Sequence, residues 1–271
     1  MKKLLTAVLS FTLLVGLAGC GGNDSKDVTT VKVGVVGEYN AQWDTVNKLL
    51  EKDNIKVELK KFTDYAAPNR ALNDGEIDLN AFQTKSYLAK SVEDFKYDIE
   101  AIGDTIVAPL AIYNNKDKVS KIEDIKDGAV IGIPSDQING GRALKLLEKA
   151  GLIECDPAKK DVPSKADITK YNKKIEIKEA ESATLAKLLP DMDAAVINGG
   201  NAITAGLNPK DDSIYIEDVN LETAGDIVNV IVARTKDKDN EVYKKVVDAY
   251  HSAEAKKTID DTYKGAFICA W

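Results

Sequence analysis

Arg142 is one of three arginines in a chain that carries 37 lysines and arginines. It follows a Gly-Gly pair in "VIGIPSDQINGGRALKLLEKAG", residues 130–151, where a strand-like run gives way to a helical pattern. A guanidinium holds a carboxylate through two parallel hydrogen bonds, glycines let a backbone come close, and a helix N-terminus favours an anion. Two interpretations fit equally: a clamp for a ligand carboxylate, or an ion pair with an acidic residue of the same chain.

Polar and aromatic side chains also follow other predicted strands. They lie in "TDY" after "VELKKF", in "NAFQT" after "EIDL", in "NGGN" after "DAAVI", and at Tyr113 after "IVAPLAI". Open α/β sheets bind ligands at the carboxyl ends of their strands, so we expect these side chains to share a crevice with Arg142. The set offers hydrogen-bonding groups and aromatic surface but no catalytic pairing, which indicates binding rather than catalysis.

The elements that position these side chains alternate along the chain. Strand-like apolar runs such as "VKVGVV" (31–36) are followed by helical patterns, which predicts βαβ units in mostly parallel sheets. Residues 101–114 fit one long strand or two. Helices are predicted from Gly140 and over residues 240–260, and the polar residues 156–174 predict a long surface connection.

Composition limits the possible partners. The 271 residues are 44% hydrophobic, which is enough for one large domain or two modest ones. The formal net charge of −7 argues against nucleic acid as a partner. No cluster of cysteine and histidine predicts a metal, and no cofactor is expected. A disulfide between Cys155 and Cys269 is allowed outside the cytoplasm, but two reduced thiols are the simpler interpretation.

The N-terminus has the pattern of an export signal. Two lysines precede the apolar run "LLTAVLSFTLLVGLA", which has the length of a signal-peptide core. The run ends in "LAGC", which resembles the bacterial lipobox and implies that Cys20 receives a diacylglyceryl group; the alternative is a plain secretory peptide with an incidental cysteine. We therefore predict a signal peptide at 1–19, a lipidated flexible tether at 20–30, and an extracytoplasmic protein anchored to the membrane by Cys20.

An ordered set of segments resembles the NlpA/MetQ-type methionine-binding lipoproteins, the substrate receptors of ABC importers. The segments are "VKVGVVGE", "FTDYAAPNRALNDGEIDLNAFQTKSYL", "AIGDTIVAPLAIYNNK", "AVIGIPSDQINGGRALKLLEKAGLI", "DAAVINGGNAITAGLNP", "YIEDVNLETAGDIVNVIVAR" and the terminal Trp271. The resemblance implies a type II periplasmic-binding fold, in which two α/β lobes joined by two crossing strands close on a ligand. It implies residues 31–110 with 228–271 as the first lobe and 111–227 as the second.

The resemblance also implies roles for single residues. Arg142 would pair with the ligand α-carboxylate, with Asn139 in the same loop. Asn198 and Asn229 would bond the ligand amino and carboxylate groups. The side-chain pocket would be lined by Tyr65, Phe82, Thr84, Tyr87, Tyr113 and Asn201. Core packing is the alternative for the aromatic residues at positions 82 and 87.

The sequence departs from the family pattern in this pocket. Thr84 and Ser86 stand where the family has histidine and proline, and Asn201 stands where it has tyrosine. A buried polar group that loses its partner costs about 1–3 kcal/mol. Because Thr84 and Asn201 add such groups, we expect methionine to bind more weakly than a larger or more polar amino acid or a short peptide.

The predicted function is capture of methionine or a related amino acid or short peptide by cleft closure. A monomeric lipoprotein would then deliver this ligand to the permease and ATPase of an ABC importer. The alternatives are a surface adhesin or sensor with an empty cleft and, with less support, an amino-acid-processing enzyme. The single histidine, His251, lies in the predicted terminal helix, away from the crevice. Ligand-dependent stabilisation distinguishes a receptor from an adhesin, and turnover identifies an enzyme.

Overall fold

The computed structural model describes residues 27–38, 40–159 and 162–271. The strands are β1 (Thr29–Val36), β2 (Ile55–Phe62), β3 (Leu79–Thr84), β4 (Ile99–Val107), β5 (Leu110–Asn114), β6 (Val130–Pro134), β7 (Ile153–Cys155), β8 (Ile168–Tyr171), β9 (Glu176–Ala180), β10 (Ala194–Asn198), β11 (Tyr215–Ile216), β12 (Val228–Arg234) and β13 (Ile268–Cys269). The α-helices are α1 (Ala41–Leu50), α2 (Ala67–Asn73), α3 (Lys85–Phe95), α4 (Gln137–Lys149), α5 (Leu185–Leu188), α6 (Gly199–Thr204), α7 (Leu221–Ala224), α8 (Glu241–Tyr250) and α9 (Ala253–Tyr263). Within these ranges no helix has both the length and the apolar character that crossing a bilayer requires.

The first sheet has the strand order β13-β4-β12-β3-β1-β2. Strand β1 pairs in parallel with β2 and β3, whereas β12 runs antiparallel to β3 and β4. Alternate residues of β1 point into a core shared with helices α1, α8 and α9, where Trp43 and Val46 of α1 are buried. The core includes Leu79, so it positions strand β3, which ends with "NAFQT".

The second sheet has the order β11-β5-β10-β6-β9. Strand β6 runs parallel to β9 and β10, and β5 runs antiparallel to β10 and β11. Helix α4 buries Leu144 and Leu147 against one face of this sheet. Tyr113 packs with Leu185 in a core on the other face. Strands β7 and β8 form a separate two-stranded ribbon.

The chain passes between the two sheets twice. It leaves the first sheet at the end of β4 and enters the second at β5, with only Ala108 and Pro109 between them. It returns between Ile216, which ends β11, and Val228, which begins β12. The division into lobes 31–110 with 228–271 and 111–227 remains our proposal.

Several sequence-based expectations about the elements need correction. Both sheets are mixed rather than mostly parallel, because β5, β11, β12 and β13 pair antiparallel. The predicted terminal helix is two helices, since Ser252 caps α9 by accepting from the Ala255 amide at 3.1 Å. Residues 101–114 form two strands, and the polar connection contains β8. The predicted tether ends earlier than expected because β1 begins at Thr29; Cys20 and residues 1–19 lie outside the described residues.

Candidate functional site

A small cavity lies between elements of the two sheets, beside the first crossing. Its lining residues are Tyr65, Phe82, Gln83, Thr84, Tyr87, Ala108, Asn139, Arg142, Asn198, Gly199, Gly200 and Asn229. Eight of the ten predicted ligand-binding residues are therefore brought together, all except Tyr113 and Asn201.

Arg142 supplies the cavity's only charged lining side chain among the described residues. Its Nη2 donates to Oε2 of Glu217 at 2.6 Å, and its Nε donates to Oε1 at 3.3 Å. Nη2 also reaches the carbonyl oxygen of Ala108 at 3.5 Å. Both interpretations drawn from the sequence thus meet in one side chain, which pairs with an acidic residue and also faces the cavity.

The expected helix N-terminus at Arg142 is wrong. Helix α4 begins at Gln137, so Arg142 lies in its second turn. The free amides of the first turn meet Asp136, whose Oδ1 accepts from the Asn139 amide at 2.8 Å. Because a carboxylate already caps this end, the helix N-terminus offers no further attraction for an anion at Arg142. Gly140 serves packing within the chain and does not line the cavity: a Cβ there would come within 2.8 Å of the Pro134 carbonyl oxygen.

A chain of side-chain hydrogen bonds leads from Asp136 to the cavity. The amide nitrogen Nδ2 of Asn139 donates to both carboxylate oxygens of Asp136, at 3.1 Å each. Oδ1 of Asn139 in turn accepts from Nδ2 of Asn198 at 2.8 Å. Oδ1 of Asn198 is buried and accepts no hydrogen bond from the described residues. The cavity therefore holds a buried acceptor that is available to a donor on a ligand.

Asn229 contributes from the first sheet. It is the second residue of β12, and its Nδ2 donates to the carbonyl oxygen of Ile106 on the neighbouring strand β4 at 3.1 Å. This bond fixes the amide plane of Asn229 at the cavity edge. The side-chain oxygen Oδ1 of Asn229 is not used in this bond.

Three aromatic rings form one wall of the cavity. The ring centroids of Tyr65, Phe82 and Tyr87 lie 5.8–6.1 Å apart, and both pairs that include Tyr87 meet edge to face. Burial, with a smaller contribution from Asp136, raises the pKa of Tyr87 above its ordinary value. Tyr87 therefore keeps its hydroxyl proton at neutral pH. The wall offers an apolar, polarisable surface suited to an aliphatic or thioether side chain.

Thr84 lines the cavity, but its hydroxyl is already engaged. As the N-cap of α3, Oγ1 accepts from the Tyr87 amide at 3.2 Å, and it lies 3.1 Å from Oγ of Ser86. A capping hydroxyl of this kind does not go unsatisfied when the ligand is apolar. The expected penalty against methionine therefore has no basis at Thr84.

A bulge lets consecutive residues of β3 face the cavity. In the pairing with β12, Val230 lies opposite Gln83 and Ile231 lies opposite Ala81, so Phe82 is the additional residue. Bulges re-aim side chains in this way next to functional sites. Phe82, Gln83 and the following threonine all line the cavity as a result.

Gln83 is held by a buried network of amides. Its Oε1 accepts from Nδ2 of Asn69 at 2.8 Å, and its Nε2 donates to Oδ1 of Asn69 and Asn80, at 2.6 and 3.0 Å. All three side chains are at least 97% buried. The network satisfies polar groups beneath the cavity and fixes the position of Gln83.

Tyr113 and Asn201 are not brought to the cavity. Strand β5 runs antiparallel to β10, so Leu110 lies opposite Asn198 at the cavity edge and Tyr113 lies about 10 Å further along. Asn201 is the third residue of α6 and lines a different cavity with Val36 and Ala205. The assignment of both residues to the pocket is corrected, and with it the idea that Asn201 makes the pocket polar.

Sequence reasoning missed several residues that build the site. Gln83 stands within the quoted "NAFQT", where its place at a strand end was the available signal. Gly199 is needed because a Cβ there would come within 2.9 Å of the Pro109 carbonyl oxygen, and the "NGG" pattern was the signal. Glu217 had none, because it lies between β11 and β12 and meets Arg142 only through the tertiary fold.

The other reactive side chains lie elsewhere. Nε2 of His251 donates to the carbonyl oxygen of Asp104 at 2.6 Å, and the His251 ring stacks on the Trp271 ring with their centroids 5.1 Å apart. Cys155 and Cys269 are free, buried thiols. Across the part of the chain that the structure describes, no group of three or more His, Cys, Asp or Glu residues is arranged to hold a metal ion.

Known proteins resemble this chain over nearly its whole length. The family model described as NlpA lipoprotein matches residues 31–271. The D-methionine-binding lipoprotein MetQ of Salmonella typhi is 38% identical over 273 residues, which cover 99% of this chain and 98% of that protein. A nutrient binding protein from Burkholderia cenocepacia, solved bound to methionine, is 35% identical with a TM-score of 0.83, covering 89% of this chain and 100% of that one. The substrate binding protein of a methionine transporter from Streptococcus pneumoniae is 34% identical with a TM-score of 0.84, covering 89% and 96%.

These likenesses confirm the predicted fold class. The matched structures are substrate-binding proteins, and their agreement with this chain identifies a type II periplasmic-binding fold. The curated relatives are named as binding lipoproteins rather than enzymes. With a family match that covers residues 31–271 and relatives more than 30% identical over nearly their full length, the chain belongs to the NlpA lipoprotein family.

Proposed function

We propose that this protein is the substrate-binding lipoprotein of an ABC importer and captures free methionine or a closely related amino acid. One observation carries the proposal: a buried acceptor without a partner, Oδ1 of Asn198, shares a cavity with the guanidinium of Arg142. An α-amino acid presents an ammonium and a carboxylate on one carbon. These two groups match an acceptor and a cationic donor placed together.

The hydrogen-bonded chain from Asp136 makes Oδ1 of Asn198 a better acceptor for a cation. The Asp136 carboxylate polarises Asn139, which polarises Asn198, so negative charge is passed toward Oδ1 of Asn198. An ammonium gains more from such an oxygen than a neutral donor does. The site thus favours a ligand with a free amino group.

The side chain of the ligand would lie against the aromatic wall. Tyr65, Phe82 and Tyr87 offer edges and faces to which a thioether sulfur is attracted by about 0.3–1.5 kcal/mol. Since the Thr84 hydroxyl is occupied and Asn201 lies outside the cavity, methionine meets no unsatisfied polar group from these two residues. The methionine relatives support the same ligand.

Transport would follow from closure of the two proposed lobes. Residues from both sheets line the cavity, so only a closed arrangement contacts the ligand on all sides. The closed, monomeric protein would then be recognised by a permease and its ATPase. The proposed function is binding and delivery, without chemistry on the ligand.

Ligand release and rebinding test the function. Purified protein is denatured, the released small molecules are identified by mass spectrometry, and the refolded protein is titrated calorimetrically with L- and D-methionine and the other standard amino acids. We expect released methionine and tight, selective rebinding. Stability unaffected by any amino acid would support the surface-adhesin alternative, and turnover of methionine would support an enzyme.

Membrane anchoring is proposed separately and rests on "LAGC" and on relatives named lipoproteins. Cys20→Ser should abolish lipidation and leave an uncleaved precursor or a soluble protein. Detergent partitioning of cell fractions, with the mass of the mature N-terminus, measures this. A Cys20→Ser protein that still partitions as a mature-sized lipoprotein would show that the assignment of Cys20 is wrong.

A further inference from the structure

Glu217 reaches Arg142 from behind the cavity. It follows β11 directly, and its carboxylate takes both Nε and Nη2 of the guanidinium. The pair is well shielded from solvent, with side-chain exposures of 10% for Arg142 and 15% for Glu217. Glu217 is not itself among the lining residues.

The same carboxylate also grips the first crossing. Oε2 of Glu217 accepts from the backbone amide of Leu110 at 2.9 Å, one residue after Pro109. Three donors therefore converge on Glu217, and its position does not depend on Arg142 alone. Among the described residues, no acceptor is assigned to Nη1 of Arg142, which leaves one edge of the guanidinium for a ligand.

Charge balance follows from this geometry. Among the residues that the structure describes, Arg142 is the only charged side chain lining the cavity, and Glu217 offsets its positive charge at hydrogen-bond distance. At low solvent exposure the potential that a ligand meets is set by such nearby pairs. A cavity with a neutralised arginine suits a ligand whose own charges sum to zero. An anion without an ammonium gains less than it would from an isolated arginine.

We propose that Glu217 determines the charge selectivity of the cavity: by neutralising Arg142 it favours the zwitterion of an amino acid over the corresponding simple carboxylate. The proposal rests on the proposed function, since it assumes that an amino acid occupies this cavity. Glu217 is a positioning residue, because it acts through Arg142 and does not line the cavity.

The test compares two ligands of the same skeleton. L-methionine carries no net charge, and 4-(methylthio)butanoate lacks only the amino group and is an anion. Dissociation constants of both are measured by calorimetry for the wild type and for Glu217→Gln. Glutamine keeps one oxygen for Leu110 and Nη2 but removes the negative charge. In each protein the two dissociation constants give one ratio, and the test compares this ratio between the wild type and Glu217→Gln. The butanoate lacks the contact with Asn198 in both proteins, so that loss cancels from the comparison.

We expect the preference of the wild type for methionine over the butanoate to shrink by about tenfold or more in Glu217→Gln, because the unneutralised Arg142 then attracts an anion more strongly. Glu123→Gln is the matched control: it removes one negative charge from an exposed position outside the cavity and should leave the preference unchanged. An equal change in both dissociation constants would reduce Glu217 to a structural role and overturn the proposal.

A second variant covers the case in which Glu217→Gln does not fold, as judged by circular dichroism. Glu217→Asp keeps the charge but shortens the reach to Arg142, so both ligands should weaken by the same factor and the preference should persist. A preference altered by Glu217→Asp would contradict the charge argument. Absence of methionine binding by the folded wild type would instead refute the proposed function, and this proposal with it.

Discussion

Asn139 and Asn198 are joined by a single hydrogen bond of 2.8 Å whose direction is imposed from outside the pair. Asp136 is an acceptor when ionised, so Asn139 must turn its Nδ2 toward it and present Oδ1 to Asn198. Asn198 must then use its own Nδ2 in that bond. Its Oδ1 is left buried and without a donor. A carboxylate outside the cavity thus decides which atom of Asn198 is left without a partner.

Asn198→Ala should weaken L-methionine binding by about 1.5–3 kcal/mol, the usual range for a hydrogen bond to a charged group. Calorimetric titration measures the loss. Asn201→Ala is the control, since it makes the same chemical change on α6 outside the cavity and should leave affinity nearly unchanged. Equal losses in the two variants would contradict the ligand role of Asn198.

Asp136→Asn should weaken methionine binding although residue 136 does not line the cavity. An asparagine there still caps α4 through its oxygen, but its amide group no longer forces the orientation of Asn139. Asn198 is then free to turn a donor toward the ligand ammonium. Affinity for methionine, measured beside thermal stability, should fall while the melting temperature changes little; unchanged affinity would mean that the orientation has another origin.

Arg142→Ala should remove the stabilisation that ligand confers. At free methionine about 100 times the dissociation constant, the wild type should gain roughly 2.7 kcal/mol in its free energy of unfolding. The alanine variant should gain almost none and should also be less stable without ligand, because Glu217 loses its partner. Arg142→Lys should restore little, since an ammonium lacks the planar fork. Denaturant unfolding with and without methionine provides the measurement, and full stabilisation of the alanine variant would refute the clamp.

Thr84→Val should lower stability more than it changes ligand preference. The substitution removes the oxygen that caps α3, which costs about 1 kcal/mol. Thr84→Ser retains the cap and should keep wild-type stability. Selectivity for methionine over more polar amino acids should be similar in all three proteins. A strong gain in methionine selectivity for the valine variant would revive the earlier expectation of a polar pocket.

Cys269 should make the fold sensitive to alkaline pH. Burial raises its pKa from 9.0 to about 11, so the unfolded chain loses the thiol proton first and the free energy of unfolding falls as pH rises from 9 toward 11. Cys269→Ala should flatten this part of the profile. Iodoacetamide at pH 8 should label the native thiol far more slowly than the denatured one. Rapid native labelling would show that the thiol is accessible.

Element types were predictable where one local pattern decided them. The apolar run "VKVGVV" located β1, and the helical pattern over residues 240–260 located the region of α8 and α9. Strand direction was not predictable. The apolar patterns of "LAIYN" and "VNVIVAR" carry no information on direction, and only the pairing with neighbouring strands makes β5 and β12 antiparallel. The break between α8 and α9 rests on one capping serine inside a continuous helical pattern.

The same distinction explains which site residues were predictable from the sequence. Residues next to strand ends, such as Asn198 and Phe82, were found because their place in the sequence is also their place in the sheet. Tyr113 was misplaced because its strand runs in the opposite direction, which puts its end away from the cavity. Glu217 needed the tertiary fold, since no local pattern links it to Arg142.

The bulge in β3 also affects how this part of the cavity lining can change by mutation. In a regular strand, the residues of one face occupy every second position. The residues between them face the other side of the sheet and must be kept when the first face changes. Here Phe82, Gln83 and Thr84 are adjacent in the chain and all reach the cavity. Because Gln83 also bonds Asn69 and Asn80 beneath the cavity, a change of these three neighbouring codons would alter the cavity lining and its buried support together.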